Sequence, residues 1–366
     1  MTDEPAGGGA PSSSGLLWPR LADPPRRFDW AVLPTPVDRA PWLDTPHATV
    51  WIKRDDRSSP IYGGGKVRKL QWVLANPPYD GDAPVLSMGG TGSHHLLALA
   101  LFLAPQRRTL HALVFEQPWT PHVRRNLAVL VSTGAKLWTA KTRPGLGVAW
   151  LAYRLWRRPA IAGTYMAAGA STALGCFGFI EAALELAAQI AAGALPRPDV
   201  IYLTAGSAGS CAGLLVGLAL AGVSTHVHLV SSVEAWAFNG VLLRRKLAAA
   251  EGELRARGLV DAPTGGVMRW LERAGVTFAI DHAEVGGGYG APTAAGLDAV
   301  ALAGAYGLAL ETTYTAKCLA ALRRIEAARG GPRRSVLWWN THAGNDLSDR
   351  IAPDWRARCP IAVPDE

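Results

Sequence analysis

Residues 199 to 213 read Asp199-Val200-Ile201-Tyr202-Leu203-Thr204-Ala205-Gly206-Ser207-Ala208-Gly209-Ser210-Cys211-Ala212-Gly213. The run Asp199 to Thr204 is short, apolar and rich in β-branched and aromatic residues, the pattern of a strand buried on both faces. Small residues follow, and a helix is expected from Cys211 to Ala221. A buried strand that turns through glycine and serine into a helix is the repeating unit of parallel-sheet α/β proteins, which bind ligands at the carboxyl ends of their strands.

The same unit recurs on either side. Ala83-Pro84-Val85-Leu86-Ser87-Met88 leads through Gly89-Gly90-Thr91-Gly92-Ser93 into a helix from His94 to Leu103. Leu110-His111-Ala112-Leu113-Val114-Phe115 precedes a helix around His122 to Thr133. Near the start, Ala48-Thr49-Val50-Trp51-Ile52-Lys53 alternates like a strand, and Gly63-Gly64-Gly65 opens a helix over Lys66 to Leu74 that stops at Asn76-Pro77-Pro78. His226 to Val230 and Val336 to Asn340 are two more strands. No internal repeat interrupts this alternation.

Bulk composition narrows the class. A chain of 366 residues with 49% hydrophobic and 18% charged residues can bury a sizeable core and suggests two domains. Its net charge of +8 comes from basic pairs scattered from Arg107-Arg108 to Arg333-Arg334, which argues against nucleic acid and suits an anionic small ligand. Cys176, Cys211, Cys318 and Cys359 lack the spacing of a zinc site or disulfide framework, so a reducing, cytoplasmic setting is expected. The N-terminus is acidic and then rich in Gly, Ala, Pro and Ser through about Gly15, as in a disordered tail and unlike a signal peptide. Leu96 to Ala104, the longest apolar run, falls far short of the roughly 20 residues of a membrane helix.

Three segments carry chemistry. Gly206 to Gly213 lies between strand and helix, where free N–H groups and the helix dipole favour a phosphate; close helix packing would also explain its small residues. Its spacing is neither GxGxxG nor a Walker sequence. Lys66 follows three glycines, and an amine forms an imine with an aldehyde only when it can be neutral, which burial and the neighbouring charges of Arg68 and Lys69 would favour. Taken alone, such a lysine is more often an exposed turn residue. At Gly89 to His95, backbone N–H groups and the Ser93 hydroxyl suit a carboxylate. A hydrolase elbow would need glycine at the positions of Thr91 and His95. His94 and His95 have no third ligand at metal-binding spacing, so no metal is expected.

Together, in this order, these elements resemble the pyridoxal-phosphate enzymes of the tryptophan-synthase-β-like fold, in particular the 1-aminocyclopropane-1-carboxylate deaminase and D-cysteine desulfhydrase family. The correspondence runs from Trp51-Ile52-Lys53-Arg54-Asp55-Asp56 through GGGKVRKL (63–70), SMGGTGSHH (87–95), AAGASTALG (167–175), GSAGSCAGL (206–214), GGGYGAPT (286–293) and ETTYTAK (311–317), over roughly residues 28 to 350. That resemblance implies an α/β fold of two open, mostly parallel twisted sheets covered by helices. It implies a large cofactor-binding domain of residues 28–79 and 173–360 and a small domain of residues 80–172, behind a disordered tail of residues 1–27. A homodimer acting on a small amino acid, with no nucleic-acid or membrane partner, is implied as well.

Carried over by position, Lys66 is implied to hold the cofactor as an imine and to move the α-proton, with Lys69 near the phosphate. Gly206, Ser207, Ala208, Gly209, Ser210, Cys211 and Ala212 are implied to cradle the phosphate. Ser93 would meet the substrate carboxylate, and Tyr289 and Tyr314 are the implied active-site tyrosines. Thr315 stands where the desulfhydrase branch sets a hydroxyl against the pyridine nitrogen and the deaminase branch a glutamate, which favours β-elimination. Three positions depart from the pattern. Gly65 and His94 each replace an asparagine, the second a contact to the cofactor's ring hydroxyl, and Asn340-Thr341-His342-Ala343 replaces His-Thr-Gly-Gly. The implied reaction is β-elimination to a 2-keto acid and ammonia. Ring opening, β-replacement and cofactor binding without turnover are the alternatives.

Overall fold

The computed structural model describes residues 15–156, 164–260 and 262–364. In chain order, β1 (Val37–Arg39), β2 (Ala48–Arg54) and α1 (Gly65–Val73) come first. Next are β3 (Val85–Gly90), α2 (His94–Leu103), β4 (Leu110–Phe115), α3 (Pro121–Ser132), β5 (Lys136–Ala140) and α4 (Arg143–Trp156). The remainder holds α5 (Phe177–Ala191), β6 (Val200–Ala205), α6 (Gly209–Ala221), β7 (Thr225–Ser231), α7 (Gly240–Ala256), α8 (Val267–Arg273), β8 (Val276–Asp281), α9 (Ala294–Ala305), α10 (Thr315–Ala328) and β9 (Arg334–Asn340).

Two open sheets result. The larger has the order β1-β2-β9-β6-β7-β8, parallel throughout except that β1 runs antiparallel to β2. The smaller, β3-β4-β5, is wholly parallel. This is the α/β architecture expected. Alternation across a strand shows how the larger sheet is covered on both sides. Trp338 packs with residues of α9 and α10, while its neighbour Trp339 points the other way, into the core that holds α5 and α6.

Helix α5 crosses its neighbours on glycines. A Cβ on Gly178 would stand 2.0 Å from the Arg68 carbonyl oxygen of α1, and one on Gly217 of α6 would stand 2.6 Å from the Ile180 carbonyl oxygen of α5. A Cβ on Gly213 would lie 2.3 Å from the carbonyl oxygen of Cys176, just ahead of α5. Backbone therefore touches backbone at these crossings. The stretch Leu174–Ala191 is long and apolar enough to cross a membrane by length and composition, but 67% of it is buried inside the fold, as befits a core helix.

The tail expected through residue 27 is shorter than that. From Gly15 onward the chain is placed, with Leu17, Trp18 and Leu21 buried and Trp18 stacked on Trp72 at 4.6 Å. Burial of Leu17, Trp18 and Leu21 docks the segment, whereas residues 1–14 lie outside the described residues.

Candidate active site

The carboxyl ends of β3, β6, β7 and β9 converge with the start of α1 on a cavity of about 290 Å³, within the usual order of size for small-molecule sites. Its walls include Lys66, Ser93, His94, Tyr289, Tyr314 and Thr315, together with Gly206, Ser207, Ala208, Ser210 and Cys211. Lys69, Gly209 and Ala212 lie outside this lining, although a Cβ on Gly209 would stand 2.8 Å from Lys69 Nζ.

Gly64, at φ +80°, turns the chain into α1 and aims Lys66 at the cavity. Burial pushes the Lys66 amine below its ordinary range, while the Glu311 carboxylate pulls the other way. Lys69 is pushed down to about 7, first by burial and then by the nearby Lys66 charge. Its Nζ donates to Ser171 Oγ at 3.0 Å, and Ser171 Oγ is 2.6 Å from Ser207 Oγ. Neither lysine has a carboxylate partner among the described residues.

Arg68 plays no part in this. Its side chain points to the opposite side of α1 and grips Asp55 through two hydrogen bonds of 2.8 and 2.9 Å, with Glu185 at 3.0 and 3.1 Å. Successive helix residues are about 100° apart, so its charge is spent away from Lys66, and burial is what lowers that amine.

The loop expected to cradle a phosphate runs into a helix start without a side-chain cap. Ala208, in the left-handed region at φ +65°, precedes α6 and gives it no side-chain cap, so N–H groups of the first turn remain available. Opposite them, a Cβ on Gly169 would stand 2.2 Å from Ser207 Oγ. A second lysine, Lys246 of α7, donates to the Ser171 carbonyl at 2.6 Å. Sequence reading missed it because the position is 75 residues from its partner.

Ser93 caps α2, its Oγ accepting from Leu96 N at 3.3 Å, and its side chain faces the cavity. Tyr314 donates its hydroxyl to that of Tyr289 at 2.8 Å, so the two tyrosines meet as one unit. The Thr315 hydroxyl donates to Glu311 Oε1 at 3.1 Å. Glu311 also accepts from the backbone N–H groups of Thr313, Tyr314 and Thr315 and so caps α10. It was not singled out in the sequence, although its place four residues before a helix start resembles a capping signal.

The departures at 65, 94 and 342 have physical explanations. A Cβ on Gly65 would come within 2.9 Å of Phe179 Cζ, so that aromatic ring occupies the space a larger residue would need. His94 and His342 are in contact, their rings edge to face at 5.4 Å. Burial pushes His342 down to about 3 and His94 well below its ordinary range, so both are neutral. His94 Nδ1 is 2.6 Å from the Tyr62 hydroxyl, while its Nε2 is enclosed and has no hydrogen-bond partner. His94 and His95 turn apart, in line with the reading that these two do not form a metal pair. His95 Nε2 turns to Ser87 Oγ at 2.9 Å, and His94 instead faces His122 and Glu311.

Lysine, uncapped helix start and serine-lined loop suit a phosphorylated aldehyde. The cradle offers N–H groups and lysines to the phosphate, and the Lys66 amine, disfavoured as a cation, suits the aldehyde.

Comparison with known proteins agrees. The family described as pyridoxal-phosphate dependent enzyme matches residues 30–341. A D-cysteine desulfhydrase of Salmonella choleraesuis (strain SC-B67) is 32% identical over 309 residues, covering 81% of this chain and 87% of the relative. The corresponding protein of Salmonella paratyphi A is 30% identical over the same span. Among solved structures, an ACC deaminase homologue superposes with a TM-score of 0.69 at 20% identity, covering 88% of this chain and 93% of that one. A fungal L-serine ammonia-lyase from Rhizomucor miehei gives 0.54 at 18%, covering 90% and 98%. These structural likenesses speak for the fold, and the sequence match across most of the length goes further: the chain belongs to the pyridoxal-phosphate-dependent enzyme family.

Proposed function

We propose that this enzyme eliminates a β-substituent from a small amino acid, as a D-cysteine desulfhydrase-like lyase, giving a 2-keto acid and ammonia. The observation that carries the reading is one cavity that brings Lys66, Ser93, the joined tyrosines and the 206–211 loop together from five separate parts of the chain. Pyridoxal phosphate, when bound, supplies an electron sink that acidifies the carbon beside the substrate carboxylate.

The residues would divide the rest of the work. Lys66 takes the proton, since burial disfavours the charged form of its amine. Ser93 and the N–H groups at the start of α2 hold the substrate carboxylate, and the tyrosine pair protonates or polarises the departing group. The 206–212 loop, with Lys69 behind it, holds the phosphate. Thr315 supports elimination over ring opening because a hydroxyl leaves the pyridine nitrogen weakly protonated, although its bond to Glu311 must turn first. His94 has its Nδ1 taken by Tyr62, so any contact to the ring hydroxyl would have to come from its unpartnered Nε2. The four cysteines are free, in keeping with a cytoplasmic homodimer.

The test is release of keto acid and ammonia from D- and L-cysteine, D-serine, 3-chloro-D-alanine and 1-aminocyclopropane-1-carboxylate, wild type beside Lys66→Ala. Keto acid from D-cysteine with sulfide, lost in Lys66→Ala, is the expected result. Borohydride reduction should add the cofactor's mass to the peptide that carries Lys66. A labelled Lys66 with no product from any substrate would overturn the elimination chemistry and leave a binding protein.

A further inference from the structure

We infer that His94, His122 and Glu311 form a binding site for a divalent transition-metal ion of the zinc class, set in the cavity wall, where His94 and Glu311 belong to the lining and His122 stands outside it. The ligand atoms lie within 4.8 Å of one another, with His94 Nε2 and His122 Nε2 each 3.9 Å from Glu311 Oε2. An ion equidistant from such a trio stands at most about 2.5 Å from each atom, a few tenths of an ångström beyond the about 2.0–2.2 Å that zinc takes to imidazole nitrogen and carboxylate oxygen. Small side-chain rotations close that gap.

Two further observations point the same way. His94 Nε2 is buried and makes no hydrogen bond, an uncommon condition for an enclosed polar atom that a ligand would relieve. Each histidine also has its other ring nitrogen held by a hydroxyl, His94 Nδ1 by Tyr62 at 2.6 Å and His122 Nδ1 by Thr120 at 2.9 Å. That outer contact is what orients a metal-bound imidazole and commits Nε2 to the ion. The carboxylate is anchored in turn by the backbone leading into α10, Oε2 accepting from Thr313 N at 2.7 Å and from Tyr314 N at 3.1 Å; the Tyr314 N–H is shared with Oε1 at 3.0 Å, so its bond to Oε2 can give way to the ion. Thr313 Oγ1, 3.3 Å from His122 Nε2, is displaced as well.

An ion here would tie the starts of α2, α3 and α10 together. Since those helix starts are electropositive, the negative charge of Glu311 is the part of the site that a cation cannot do without. No step of the elimination reading is needed for this inference, because metal content is measured apart from turnover.

The experiment is equilibrium dialysis of the holoenzyme against zinc, with metal analysis, followed by cobalt substitution read in visible absorption. One ion per chain is expected, with cobalt bands of a site of low coordination number. His122→Ala, which lies outside the cavity lining, should hold no ion at zinc concentrations that saturate the wild type and should keep its bound cofactor. Glu311→Gln should lose the ion too, and Thr120→Val, which spares all three ligands, should weaken binding about 10- to 100-fold. A variant lacking His226 and His228, a surface pair beside Asp281, should bind like the wild type. Absence of an ion in folded wild type, or retention of the ion in His122→Ala and Glu311→Gln, or its loss in the His226 and His228 variant, would overturn the site.

Discussion

Arg68 and Lys69 are neighbours on α1, equally buried, and face two very different surroundings. On the Arg68 side, Lys53 and Arg68 are matched by Glu185 and Asp55, with Thr35 and the Trp339 indole filling the remaining hydrogen bonds. On the Lys69 side, neither Lys66 nor Lys69 forms an ion pair among the described residues: Lys69 meets a serine hydroxyl, and Glu311 acts on Lys66 only from beyond contact distance. Burial of a cation thus says little by itself. What separates scaffold from site is whether the counter-charge is built in or left to a ligand, since an unmatched buried charge is costly and shifts toward neutrality.

Substitutions can break that comparison. Lys66→Ala should lower turnover on the best substrate by about 10²- to 10⁴-fold, measured as kcat, with the fold intact by circular dichroism. Glu185→Gln should cost about 3–5 kcal/mol in urea unfolding, because it strands Lys53 and Arg68. Adding Lys53→Met should restore part of that loss, whereas the pair would be irrelevant if the two sides of α1 were alike. Lys69→Met should raise the cofactor's Kd about 10- to 100-fold, the loss of a charged hydrogen bond, without lowering the stability of the cofactor-free protein.

The smallest effect is a pair of opposite pH slopes. Glu185 is held down to about 2 from an ordinary 4.5, burial opposing and Arg68 and Lys53 overcoming it. Its stabilisation is therefore complete above 4.5 and fades as pH falls towards 2. Lys69, depressed to about 7 from 10.5, makes the unfolded chain bind the extra proton between those values, so the cofactor-free protein should gain stability as pH rises from 7 to 10.5. Each slope is at most about 1.4 kcal/mol per pH unit. Denaturation midpoints of wild type, Glu185→Gln and Lys69→Met across both windows would show each slope vanish in its own variant.

Much of this was legible in the sequence because it is local. Strand, small-residue turn and helix are adjacent in the chain, so 85–103 and 199–221 could be placed to within a few residues, and the cavity's serine and loop come from those joints. Edge strand β5 escaped notice, for Lys136–Ala140 is half exposed and alternates weakly. The role given to Arg68 failed because adjacency along a helix is not adjacency in space. His122 and Glu311 meet His94 across gaps that no spacing rule spans, so their convergence waited for the tertiary structure.

The glycine crossings on α5 have one more consequence. Helix α1 carries the lysines and α6 carries the uncapped start proposed to face a phosphate, and α5 lies between them as a spacer that meets both neighbours through backbone at Gly178 and Gly217. Peptide groups do not change rotamer, so the gauge between amine and cradle does not drift with side-chain motion as a leucine-packed seam would. Evolution can therefore revise the surrounding core, and the histidines around the ring, without recalibrating that distance. An alanine at Gly178 would act as a shim, and its effect would be felt in the alignment of the two halves of the site before it was felt in the fold.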